Sequence, residues 1–172
     1  MNQFQTELDV ATIDYNNQLK TDLTAYFRAT HPTIIILDMF TNGLLSYSSN
    51  LLIEKTTKTM SIICNDATSF NTLLKAPSDL YSLPPTETFV EKTASFITKR
   101  YQTQIGIAVA GIKDFENKKN KIYIGYSFYN NITNRIIECS GSPKIRYNQI
   151  INGVFGYLKM LFIKYPITNK RS

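Results

Sequence analysis

Thr33-Ile34-Ile35-Ile36-Leu37-Asp38-Met39-Phe40-Thr41-Asn42-Gly43-Leu44-Leu45 is the stretch that decides the fold. Its first half is a continuous β-branched and aliphatic run, the pattern of a strand buried on both faces and hence of a central parallel strand. Thr41 and Asn42 are helix-capping types, and Leu44, Leu45, Leu51 and Leu52 supply the apolar side of a short helix. Strand, turn and helix in this order are the signature of an α/β domain.

Upstream, Leu8, Ala11, Tyr15, Leu19, Leu23 and Tyr26 recur at spacings of three and four, which predicts an N-terminal helix ended by His31-Pro32. Downstream, Met60 to Cys64 predicts a second strand. Pro77, Pro84 and Pro85 mark a loop, and Thr86 opens a helix running to about Tyr101, with Phe89, Val90, Thr93, Phe96 and Ile97 inward. Ile105-Gly106-Ile107-Ala108-Val109 is a third buried strand. The lysine-rich stretch Lys113 to Lys121 reads as a mobile loop. Lys121 to Tyr129 and Ile132 to Cys139 form an antiparallel pair joined by a two-residue turn at Asn130-Asn131. Ser142-Pro143 opens the last helix, whose stripe is Ile151, Val154, Phe155, Leu158, Leu161 and Phe162. The expected architecture is one three-layer α/β/α sandwich over residues 1–172 with a mixed five-stranded sheet, an N-terminal helix within 1–30 and a basic tail at 166–172.

The 172 residues are 43% apolar and 19% charged, which excludes a chain disordered as a whole. The longest wholly apolar run, Ile34 to Leu37, is far below the roughly 20 residues that span a bilayer. Met1 to Glu7 has neither the basic patch nor the apolar stretch of a secretory signal, which points to the cytoplasm. Two cysteines, Cys64 and Cys139, are too few for a disulfide framework or a zinc set, so both are expected as free thiols and no metal site is expected. The net charge of +6 gathers at Lys113, Lys118, Lys119 and Lys121 and at Lys159, Lys164, Lys170 and Arg171. Solvated surface is the first reading of these groups; a nucleic-acid or anion surface is the second.

Ile36-Leu37-Asp38-Met39-Phe40-Thr41-Asn42-Gly43-Leu44-Leu45 resembles the A-E-S-C-T-G-G-L-L segment opening the CinA C-terminal domain, the nicotinamide mononucleotide amidohydrolase family. Ile105-Gly106-Ile107-Ala108-Val109-Ala110-Gly111-Ile112 is similar to that family's I-G-L-A-V-T-G-I strand. Lys121 to Leu158, with Gly141 and Arg146, is similar to its final hairpin and helix. The resemblance covers about residues 20 to 162 and implies the same mixed five-stranded sheet between helices. It also implies self-association and hydrolysis of the nucleotide's carboxamide by a serine helped by a tyrosine and a lysine.

Transferred position by position, that machinery is missing. Met39 stands at the serine, Asn65 at the tyrosine and Phe70 at the lysine, and none of them can attack or take a proton. The glycine-rich loop of the family is reduced to Gly111-Ile112-Lys113-Asp114-Phe115-Glu116-Asn117. What the resemblance leaves is a vestigial pocket of Asp38, Met39, Thr41, Asn42, Gly43, Cys64, Ala110, Gly111 and Arg146, open to a nucleotide or another anionic ligand, with no catalytic residue and no cofactor. Cys64 with His31 does not make a nucleophile and base, because the two fall at opposite ends of the strands. Ser46, Ser48 and Ser49 read as a solvated helix face. The sequence therefore points to a degenerate CinA-like binding or assembly protein that forms homo-oligomers and has no membrane partner, with nucleic acid less favoured. The alternative is a nicotinamide mononucleotide deamidase with a rearranged site.

Overall fold

The computed structural model describes residues 16–53, 57–64, 66–77, 80, 84–114 and 119–167. Its elements are α1 (Asn17–Thr30), β1 (Ile34–Asp38), α2 (Leu44–Leu52), β2 (Thr59–Ile63), α3 (Ala67–Leu74), α4 (Glu87–Tyr101), β3 (Ile105–Asp114), β4 (Lys119–Phe128), β5 (Asn131–Ser140) and α5 (Pro143–Lys164). The sheet order is β2-β1-β3-β4-β5. β1 is parallel to both β2 and β3, whereas β3-β4 and β4-β5 are antiparallel. The mixed five-stranded sandwich expected from the sequence is the fold observed.

All five residues of β1 are buried. Alternation along the strand sends Ile34 and Ile36 into one core, with α1, α2 and α5, and Ile35 and Leu37 into the other, with α3 and α4. The stripe of α5 is buried as expected, and Ser142 caps it with Pro143 in the first turn. In α1 the buried residues are Leu19, Leu23 and Phe27, while Tyr26 lies half-buried and stacked on Phe162 at 5.0 Å. Leu8, Ala11 and Tyr15 fall outside the described residues, as do residues 168–172 of the basic tail. Among the described residues no helix is long and apolar enough to cross a membrane.

Three local expectations are corrected. Of the stretch 113–121, the described residues 113–114 and 119–121 are strand and the rest lie outside the described residues: Lys113 pairs with Asn120 and Asp114 with Lys119, so the ladder reaches well past the end of β1. Main-chain pairing there needs no apolar side chains. The hairpin turn is Tyr129-Asn130, both at positive φ (46° and 68°), and Asn131 already pairs with Phe128. The Asn131 side chain donates to the Phe128 and Tyr129 carbonyls, which favours it at the strand start over the turn. The left-handed backbone of Tyr129 also swings its ring toward the core that holds Tyr126, away from Tyr123. Finally, Ser48 and Ser49 are buried, not solvated. The Ser49 hydroxyl donates to the Ser46 carbonyl at 2.7 Å, so its polarity is satisfied inside the helix.

Candidate functional site

β1 is flanked by parallel strands whose crossovers run over opposite faces, α2 on one and α3 with α4 on the other. Its carboxyl end is thus a topological switch point, the place where open α/β sheets bind ligands. The chain leaving β1 is fastened on both sides: Met39 N–H donates to the Val109 carbonyl at 2.9 Å, and Cys64 N–H to the Asp38 carbonyl at 3.0 Å.

Asp38 is fully buried. Oδ1 accepts from the N–H groups of Phe40 (3.0 Å) and Thr41 (2.7 Å). Oδ2 accepts from the Gly43 N–H at 2.9 Å and from the Thr41 hydroxyl. One carboxylate thereby ties the whole turn together. The Thr41 hydroxyl accepts from Leu45 N–H at 3.0 Å, and Gly43, at φ 91°, is the N-cap of α2. The capping expected of Thr41 and Asn42 is therefore shared differently. Thr41 serves through its side chain, Asn42 takes the left-handed backbone (φ 55°), and Gly43 holds the cap position.

Phe40, which the sequence reading did not single out, lies against Gly111. A Cβ placed on Gly111 would fall 2.5 Å from the Phe40 ring and 2.8 Å from Ile122 Cδ1, so the glycine makes room for the ring. Phe40 is itself buried in the core with α1, α2 and α5. Met39 points the other way and packs, half-buried, against the core of α3 and α4, where Ala110 is also buried. Gly111 through Asp114 continue the β3 ladder with β4, an extended conformation and not a nest of converging N–H groups.

Cys64 follows β2 and is 1% exposed. Burial, with the Asp66 charge second, pushes its thiol up from the ordinary range. Asp66 caps α3 by accepting from Ser69 N–H at 2.8 Å, and the Ser69 bonds hold its own carboxyl low. Phe70 is a core residue 6.0 Å from the Phe89 ring. Asn65 lies outside the described residues. His31 forms the left-handed cap of α1 ahead of β1, at the end of the strand away from Cys64. Burial likewise raises the Cys139 thiol, against a smaller opposing effect of the Arg146 charge. Arg146 lies in the first turn of α5, which follows β5, and β5 stands three strand spacings from β1, or roughly 14 Å across the sheet. Both cysteines are free. Because the thiolate is the reactive form, alkylation of the native protein at neutral pH is expected to be at least tenfold slower than that of a free thiol, with two thiols released on denaturation. Rapid native labelling of Cys64 would reveal an activated nucleophile.

The structure thus gathers Asp38, Thr41, Asn42 and Gly43 into one turn beside Cys64, with Gly111 beneath Phe40. Met39 and Ala110 turn to the opposite face, and Arg146 stays apart. Among the described residues no three His, Cys, Asp or Glu side chains gather as metal ligands. The Asp38 network had a sequence signal, an Asp followed by Thr and then Gly in a short turn. The Phe40–Gly111 contact had none.

Likeness to known proteins lies in the fold. No family model and no curated protein matches the chain. A competence-damaged protein (CinA) superfamily structure from Klebsiella pneumoniae superposes with a TM-score of 0.75 at 12% identity, covering 88% of this chain and all of that one. A CinA superfamily protein from Escherichia coli gives 0.69 at 13% identity, covering 94% and 99%. The competence/damage inducible protein CihA from Agrobacterium tumefaciens gives 0.68 at 11%, covering 89% and 95%. The chain has the fold of the CinA superfamily.

Proposed function

We propose that this CinA-fold chain has lost amidohydrolase chemistry and works as a binding or assembly protein, built as a homo-oligomer. The observation that carries the reading is the state of the turn at the switch point. Phe40 fills the space above Gly111, and both oxygens of Asp38 are consumed by the turn that they organise. A carboxylate with four internal donors has little acceptor capacity left for a substrate. Met39 brings a thioether in place of a hydroxyl, Phe70 is committed to the core, and the thiol of Cys64 is buried and pushed up from the ordinary range.

Ammonia release from nicotinamide mononucleotide by the purified chain is expected to match the buffer blank. Met39→Ser is expected to leave it there. A hydroxyl without a proton acceptor stays a weak nucleophile, positioned acid–base catalysis is commonly worth about 10²–10⁴-fold, and groups that act as a unit regain little when one is restored. Turnover by the unmodified chain above the blank would overturn this reading in favour of a rearranged deamidase site.

A further inference from the structure

The sheet is left unfinished at β2. In its pairing with β1, Ile34 N–H donates to the Lys58 carbonyl at 2.9 Å and Cys64 N–H to the Asp38 carbonyl at 3.0 Å. Main-chain groups alternate in direction along a strand, so Met60 and Ile62 also turn toward β1. Thr59, Ser61 and Ile63 turn their N–H and C=O groups outward, where no described residue bonds to them. Unprotected edges are a template for pairing, and proteins normally blunt them with lysine, proline or a bulge. Thr59-Met60-Ser61-Ile62-Ile63 has none of these. The opposite edge, β5, carries Arg135 and Glu138.

Apolar surface surrounds the same edge. Met60 and Ile63 are each more than 40% exposed, on opposite faces of the sheet. Tyr47 on α2 and Leu73 on α3 are also exposed, one helix on each side of the strand.

We infer that β2 is a self-association edge, onto which a second copy of this chain adds its own β2 antiparallel across a two-fold axis at Ser61. The register is self-complementary. With Ser61 opposite Ser61, Thr59 faces Ile63, and the three outward residues form hydrogen-bonded pairs contributing about six main-chain bonds. Charge favours a copy of the chain as the occupant. The strand is neutral, so two chains of net charge +6 meet there without opposing like charges. Its ends are complementary: Lys58 and Asp66, both exposed, flank the strand, and the two-fold axis brings the Lys58 end of each copy beside the Asp66 end of the other. This gives a place to the assembly half of the preceding reading and rests on it in that respect alone.

Light scattering on the full chain, from low to high micromolar concentration, is expected to give twice the 19.7 kDa chain mass. Met60→Lys combined with Ser61→Lys sets like charges across the axis at exposed positions and is expected to return the mass to that of one chain, with unchanged circular dichroism. Ser61→Cys keeps the strand and is expected to be joined to its mate by a short thiol-specific bifunctional reagent. Directly opposed hydrogen-bonded residues have Cα atoms about 5.5 Å apart, within the span of such a reagent. A single-chain mass at every concentration would overturn the inference. So would a double variant that folds and stays dimeric, a Ser61→Cys chain that does not cross-link, or dissociation by Ile132→Lys on β5 instead. Ammonia release bears only on the catalytic reading, so the two fail separately.

Discussion

Asp38→Ala is expected to lower the free energy of unfolding by about 3–5 kcal/mol, measured by urea denaturation. Leaving a buried donor without its acceptor costs about 1–3 kcal/mol each, and Asp38 serves the N–H groups of Phe40, Thr41 and Gly43 as well as the Thr41 hydroxyl. The loss stays below the simple sum because a relaxed turn admits water. Asp38→Asn keeps one carbonyl acceptor but turns an amide donor toward other donors, so it should fall between the wild type and the alanine variant. A loss under about 1 kcal/mol in Asp38→Ala, the size of one ordinary hydrogen bond, would mean that the turn holds itself and that the carboxylate is free for another role.

The second large effect lies beneath α4. A Cβ on Gly125 would sit 2.0 Å from the carbonyl oxygen of Val90 and 2.3 Å from its carbon, both main-chain atoms that cannot rotate away. Gly106 meets Thr98 Cγ2 at 2.5 Å and the Ala94 carbonyl at 2.9 Å, so two glycines on adjacent strands let the helix approach the sheet. The Thr98 hydroxyl, 2.9 Å from that of Ser127, closes the same seam. Gly125→Ala therefore forces α4 off the sheet, with an expected loss of about 3 kcal/mol, at the upper end for an overpacked core. Gly156→Ala on α5 is the control. Nothing lies within 4 Å of its Cβ, and a helical Gly→Ala change should gain roughly 0.5–1 kcal/mol. Equal midpoints for Gly125→Ala and the wild type would show that the helix has room to spare.

The candidate site was legible only in part. The turn after β1 was readable as a turn because Asp, Thr, Asn and Gly each favour it for local reasons, and the absence of a hydroxyl at Met39 needed no coordinates. Gathering Asp38, Thr41 and Gly43 at the switch point followed from their nearness in sequence. Arg146 was grouped with them through resemblance, yet its charge acts on Cys139 three strands away.

The sequence by itself determined the central strand, through a run that only burial on both faces explains, and the ends of α4 and α5, through Thr86 and Ser142-Pro143. Periodicity and capping act within a turn or a few residues, so the chain carries them openly. Tertiary structure alone decided that Phe40 fills the space over Gly111, that Gly125 admits the main chain of Val90, and that the hairpin turns at Tyr129-Asn130. The first two depend on which elements are pressed together, a contact between residues distant in the chain. The third depends on register: Tyr129 N–H donates to the Gln104 carbonyl at 2.8 Å, and that bond between residues distant in sequence, beyond the reach of any local preference, holds a tyrosine in the left-handed backbone where the chain alone would favour asparagine.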